Sequence, residues 1–130
     1  MTAQGSPVSL SRIGQIAINV HDVARAVSFY RDTLGMKFLF EVPKMAFFDC
    51  GGIRLMLGIP ERPEFDHPGS VIYYKVDDIQ TAATDLTSRG VSFEAPPHPV
   101  AKLNAHDLWL GFFRDPDGNM LALMSEVPRA

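Results

Sequence analysis

Apolar and polar residues alternate along Ile13 to Val20, with Ile16, Ile18 and Val20 on one side and Gln15, Ala17 and Asn19 on the other. That period of two predicts a strand with one face buried. The period then lengthens. Val23, Ala26, Val27, Tyr30 and Leu34 form the apolar stripe of a helix over 23–34, with Asp22 as N-cap and Gly35 as its stop. Met36 to Val42, Met45 to Cys50 and Ile53 to Leu57 read as three strands joined by a Pro-Lys turn and by the DCGG turn at 49–52. Residues 58–70, GIPERPEFDHPGS, read as a linker, and residues 1–10 as a polar tail.

The order then starts again: a strand at 71–76, a helix capped by Asp77 or Asp78 running to about Ser88, Gly90 as its stop, and a strand at 91–94. The segment 95–107 carries three prolines in its first half and is not expected to be regular throughout. Leu108 to Arg114 and Asn119 to Met124 form a closing hairpin. Val20-His21-Asp22-Val23 recurs as Val76-Asp77-Asp78-Ile79, an offset of 56, and Asp49 to Leu57 maps onto Asp115 to Leu123, an offset of 66. The chain therefore reads as a single domain over 1–130. It holds two βαβββ units, 11–57 and 71–126, joined by the linker. This is an α+β fold whose mixed sheets curl into a cup with the helices outside.

The closing turn sets which side chains line that cup. In Asp115-Pro116-Asp117-Gly118, Pro116 fixes its own φ, Asp115 can accept from N–H groups just ahead, and Gly118 supplies a left-handed residue. Arg114 then faces Met120, and Phe112 faces Ala122. Carrying this parity to both hairpins puts Gln15, Ala17, Asn19, Ala46, Phe48, Arg54, Met56, Val71, Tyr73, Lys75, Leu108, Leu110, Phe112, Arg114, Met120, Ala122 and Met124 in the cup. Ile16, Ile18, Phe47, Leu55, Leu57, Ile72, Tyr74, Phe113, Leu121 and Leu123 fall beneath the helices, and Trp109 goes with them. The cup is apolar at its centre, with Arg54, Lys75 and Arg114 towards its rim.

Composition narrows the function. Twelve basic and 15 acidic residues give a net charge of −3, without the basic stripe that nucleic acid requires. Apolar runs are short of a membrane span, and the MTAQGSPVSL start lacks a signal peptide's pattern, so the cytoplasm is the expected compartment. Cys50 is the single cysteine and reads as an inert small core residue. His21 and His67 read as surface residues.

The motifs VHDVARAVSFYRDTLGM (20–36), VDDI (76–79) and FFRDPDGNMLALM (112–124) make the chain resemble the vicinal oxygen chelate superfamily. That superfamily includes glyoxalase I, extradiol dioxygenases, fosfomycin resistance enzymes and bleomycin resistance proteins. The resemblance covers roughly residues 11–126 and implies a homodimer. In metal-dependent members four cup positions supply ligands, and they correspond here to Gln15, Met56, Val71 and Ala122. Only Gln15 offers an oxygen, so no divalent metal and no other cofactor is expected. Ala17 and Phe112 stand where the fosfomycin enzymes resemble one another in carrying Thr and Tyr, which argues against that activity. The expected function is binding of a small organic molecule with an acidic head, without a metal. The expected ligand-binding residues are Gln15, Asn19, Phe48, Arg54, Met56, Val71, Tyr73, Leu110, Phe112, Arg114, Met120 and Ala122. The alternative is a lyase, isomerase or dioxygenase of the same superfamily that uses His98, His106, Asp107 or Tyr73.

Overall fold

The computed structural model describes residues 8–129. Most of the expected polar tail, residues 1–7, lies outside the described residues, and residues 8–10 are exposed and irregular. Strands β1 (Gln15–Asn19), β2 (Lys37–Val42), β3 (Met45–Cys50) and β4 (Ile53–Gly58) form one sheet in the order β1-β4-β3-β2. Strands β5 (Ile72–Lys75), β6 (His98–Lys102), β7 (His106–Arg114) and β8 (Met120–Pro128) form a second in the order β5-β8-β7-β6. The two orders are the same, so the sequence repeat is also a repeat of topology. In each sheet the first strand pairs parallel to the last, and the remaining pairs are antiparallel.

Helix α1 (Val23–Val27) begins where the Asp22 carboxylate accepts from the Arg25 N–H at 3.0 Å. It widens into a π-helical stretch, Ser28–Thr33, in which the Leu34 N–H donates to the Phe29 carbonyl at 2.9 Å. Helix α2 (Ile79–Ser88) is capped by Asp78, whose carboxylate accepts from the Thr81 N–H at 3.1 Å. Ala26, Val27 and Tyr30 from the first unit join Ile79 and Leu86 from the second in one buried cluster, with Phe48, Leu55, Leu57, Phe113, Leu121 and Leu123 from the sheets. The two units thus share a core on the helix-covered faces of their sheets, and burying that apolar surface is what holds them together. No described helix is long and apolar enough to cross a membrane.

Two expectations need correcting. Residues 91–94 form no strand: Phe93 makes an isolated bridge to Phe113, and the edge strand of the second sheet is β6 at 98–102. Pro99 is tolerated there because an edge strand has one row of unpaired backbone groups, and the strand bulges between Pro99 and Ala101. The chain crosses close over β7 on the way. A Cβ at Gly111 would lie 3.2 Å from Pro97 and 3.4 Å from Phe93.

The second correction concerns the first hairpin. Asp49 faces Arg54 and Cys50 faces Ile53, which leaves Gly51 and Gly52, both at positive φ, as a two-residue turn. The closing hairpin instead pairs Arg114 with Met120 around a longer turn. Transferring the longer turn by the repeat slips the register by one residue, which exchanges the two faces of β3. Ala46 and Phe48 lie in the core, each 0% exposed, and Phe47 faces outward with Met56.

Candidate functional site: the helix-free sheet faces

Each sheet has one face without a helix. On the first, the parallel register sets Gln15 beside Arg54 and Ala17 beside Met56, and Phe47 follows across β3. Arg54 Nε donates to Gln15 Oε1 at 2.8 Å, and Gln15 Nε2 points at the Met56 sulfur 3.7 Å away. The Arg54 guanidinium carbon sits 5.4 Å from the Phe47 ring centre, and Phe40 stacks on Phe47 with centroids 4.6 Å apart. Phe40 reaches this face because β2 bulges between Phe38 and Phe40, so Phe38 packs inward against Phe48 and Phe40 outward against Phe47. The result is a cation held on an aromatic surface, a contact favoured by the ring quadrupole.

On the second sheet, Ala122 lies between Tyr73 on β5 and Phe112 on β7. These two rings meet edge to face, with centroids 5.9 Å apart. Ala122 is therefore 0% exposed, although its strand neighbours on this face are not, and Tyr73 remains 46% exposed. Leu110 pairs with Met124 and Met120 with Arg114, extending the apolar row, and Val71 sits one residue before β5.

The other expected ligand-binding residues have different neighbours. The Asn19 amide holds the linker, donating to the Phe65 carbonyl and, at 3.2 Å, to that of His67. Arg114 turns to the closing hairpin, donating to the Gly118 carbonyl at 2.9 Å with Glu94 at 3.5 Å. Phe48 is core, beneath α1 and against Tyr30. Phe47 and Phe40 were missed, and the two-residue Gly51-Gly52 turn was the signal that could have found Phe47. His98, His106 and Asp107 do not converge. His98 Nδ1 lies 2.9 Å from the Pro96 carbonyl, and Asp107 is paired with Arg129 at 2.8 Å. Among the described residues no group of three or more His, Cys, Asp or Glu could hold a metal ion.

Behind these faces, a polar seam ties the two units. Buried Asp115 accepts from the Tyr30 hydroxyl and the Asn119 amide, both at 2.8 Å, and from the N–H groups of Asp117 and Asn119, both at 2.9 Å. Burial, and then the Asp115 charge, drive the Tyr30 hydroxyl far above the usual phenol pKa, so it stays a donor. The Asn119 amide also reaches the Asn19 carbonyl at 2.9 Å. Asp117, with a side chain 1% exposed, accepts from Arg25 and from the His21 N–H, both at 2.9 Å. His21 is a surface residue, as expected, and it is paired. Its Nε2 lies 2.9 Å from Asp66, and its pKa is raised by that hydrogen bond and by the Asp66 charge. Burial raises the Cys50 thiol, helped by Asp49, which suits an inert role.

The metal-ligand positions do not fit a divalent ion. Ala122 and Val71 have no donor atom, Met56 offers a soft thioether, and the one oxygen, on Gln15, already accepts from a guanidinium. A cation brought to Gln15 would meet the positive charge of Arg54 with no carboxylate among these four residues to offset it.

A family model described as the Glyoxalase/Bleomycin resistance protein/Dioxygenase superfamily matches residues 12–123. The Bacillus subtilis protein YraH is 28% identical over 123 residues, covering 84% of this chain and 94% of YraH. The metallothiol transferase FosB of Staphylococcus haemolyticus is 36% identical over 73 residues, which is 56% of this chain and half the length of FosB. Among solved structures, a superfamily member from Sphaerobacter thermophilus is 29% identical with a TM-score of 0.75, covering 90% of this chain and 98% of that one. Lactoylglutathione lyase from Agrobacterium tumefaciens, at 22% identity, has a TM-score of 0.74 over 90% of this chain and 95% of its own; at that identity the likeness is one of fold.

Proposed function

Because the chain belongs to the glyoxalase/bleomycin resistance protein/dioxygenase superfamily, we propose that it binds a small organic molecule on its helix-free sheet faces without a metal. The observation that carries this reading is the Arg54–Gln15 hydrogen bond of 2.8 Å. It engages the one oxygen donor of the ligand quartet with a protein cation. Beside it on the same sheet, Ala17, Met56, Phe47 and Phe40 supply an apolar wall with few polar groups, as small-molecule sites do, and Tyr73, Phe112 and Met124 supply a second such surface on the open face of the other sheet. The FosB relatives are named metallothiol transferases, but Met56, Val71 and Ala122 offer no nitrogen or oxygen donor at the corresponding positions. Nothing favours the alternative enzymatic set, since Asp107 is neutralised by Arg129 and His98 faces a backbone carbonyl.

A homodimer belongs to the same proposal. Both units spend their helix-covered faces on the shared core, so the helix-free faces of one chain are left to meet those of a second copy. The exposed rings of Tyr73 and Phe40 support this, because aromatic surface left in water favours association.

A thermal-shift screen of small organic molecules in excess EDTA tests the reading. Compounds that raise the melting temperature there, and equally with added zinc or nickel, support it. Stabilisation that appears only with a metal overturns it.

A further inference from the structure

We propose that Arg54 is the anchor for a carboxylate, and that the ligand class is a planar aromatic monocarboxylic acid. This rests on the reading above that the helix-free faces bind small molecules. A guanidinium presents donors along two edges. One edge is spent, because Nε donates to Gln15 Oε1 at 2.8 Å. That bond fixes the rotation of the planar group. Among the described residues the two Nη atoms have no hydrogen-bond partner, so the remaining edge is presented with its N–H groups parallel. Two parallel donors match the two oxygens of a carboxylate, and such fork-to-fork pairs are the strong, directional form of the charge-assisted hydrogen bond. Gln15 is then a positioning residue and not a metal ligand.

The surroundings choose the body of the acid. Phe47 lies beneath the guanidinium at 5.4 Å, and Phe40 stacks beside it. A carboxylate paired edge-on is coplanar with the guanidinium, so a flat conjugated ring can continue that layer over the Phe47, Phe40 and Met56 surface, burying apolar area. One nearby group opposes an anion. Asp49 is directly across the ladder from Arg54, but its carboxylate accepts from the Gly52 N–H at 3.2 Å and makes no ion pair with Arg54. The charge of Asp49 therefore weakens the site without closing it.

Isothermal titration of the intact protein with naphthalene-2-carboxylate and with its primary amide tests the inference. The acid is expected to bind at least about tenfold more tightly than the amide, the scale of one charge-assisted pair. Arg54→Gln should erase that preference, weakening the acid far more than the amide. Arg54→Lys keeps the charge but loses the fork, and should recover only part of it. Gln15→Leu should weaken the acid by untethering the guanidinium, and Asp49→Asn should tighten it. Equal binding of acid and amide to the wild type overturns this inference and leaves metal-free binding standing, as does Arg54→Gln binding the acid like wild type. If neither compound binds, and Arg54→Gln weakens self-association, Arg54 serves the contact between copies and the carboxylate anchor is overturned.

Discussion

Phe47 and Phe48 are neighbours in sequence and opposites in role. Phe48 is fully buried against Tyr30 and Phe38, while Phe47 carries Arg54 on the open face. Phe48→Ala should cost roughly 3–5 kcal/mol, as truncation of a buried ring does. Phe47→Ala should leave a much larger share of the stability and loosen only the Arg54 surface. Urea unfolding of the two variants checks the assignment, and reversed costs would show the register of β3 to be other than described. Alternation within a strand was legible in both hairpins. The phase was not, because phase depends on how many residues the turn consumes. Asp-Pro-Asp-Gly announces its geometry through Pro116 and Gly118, whereas Asp-Cys-Gly-Gly is compatible with a tight or a wide turn. At Gly118 the φ is +83°, and a Cβ there would meet open space, so strain is the whole cost of adding one. Gly118→Val should lose roughly 1–3 kcal/mol of stability, read as a lower melting temperature, and an unchanged one would contradict the turn.

Among the elements, the closing turn does more than join β7 to β8. Its Asp115, Asp117 and Asn119 fasten the start of the first unit, through Tyr30, Arg25, His21 and the Asn19 carbonyl. His21 adds the linker through Asp66. The folded state raises the pKa of His21, so the protonated form is favoured on folding. That contribution is complete below the unfolded value and disappears as the pH rises through the folded one. Melting temperatures of wild type and His21→Gln should therefore differ most at about pH 5 to 6 and converge by about pH 9. A gap that is constant with pH would exclude the ion pairs as its source. The helix caps were readable from residue type and position, Asp22 singly and the second as either Asp77 or Asp78, of which the structure has Asp78. The contacts of His21 were not, since they join residues 45 and 96 positions away. Nor was β6, because proline content argues against a strand unless the strand is known to be at an edge.

For the molecule as a whole, the repeat of motifs was enough to give two βαβββ units, and the two identical sheet orders have that form. How the units share one core could not be read from local pattern, because the open faces also carry large apolar residues, Met56 and Phe47 on one sheet and Leu110, Phe112 and Met124 on the other. Alternation puts Arg54 on the open face beside Gln15 and Met56; the aromatic bed of Phe47 and Phe40 was what the sequence hid. At the four positions that the resemblance implies for metal ligands, Ala122 and Val71 lack a donor in any conformation. The structure adds that Gln15 is already engaged by Arg54. The most direct test is the metal content of untagged protein, purified without chelator from cells supplied with zinc, nickel, manganese and iron, and read by inductively coupled plasma mass spectrometry. The account predicts no stoichiometric ion of any of the four. One tightly held ion per chain, whose removal abolishes ligand binding, would contradict it.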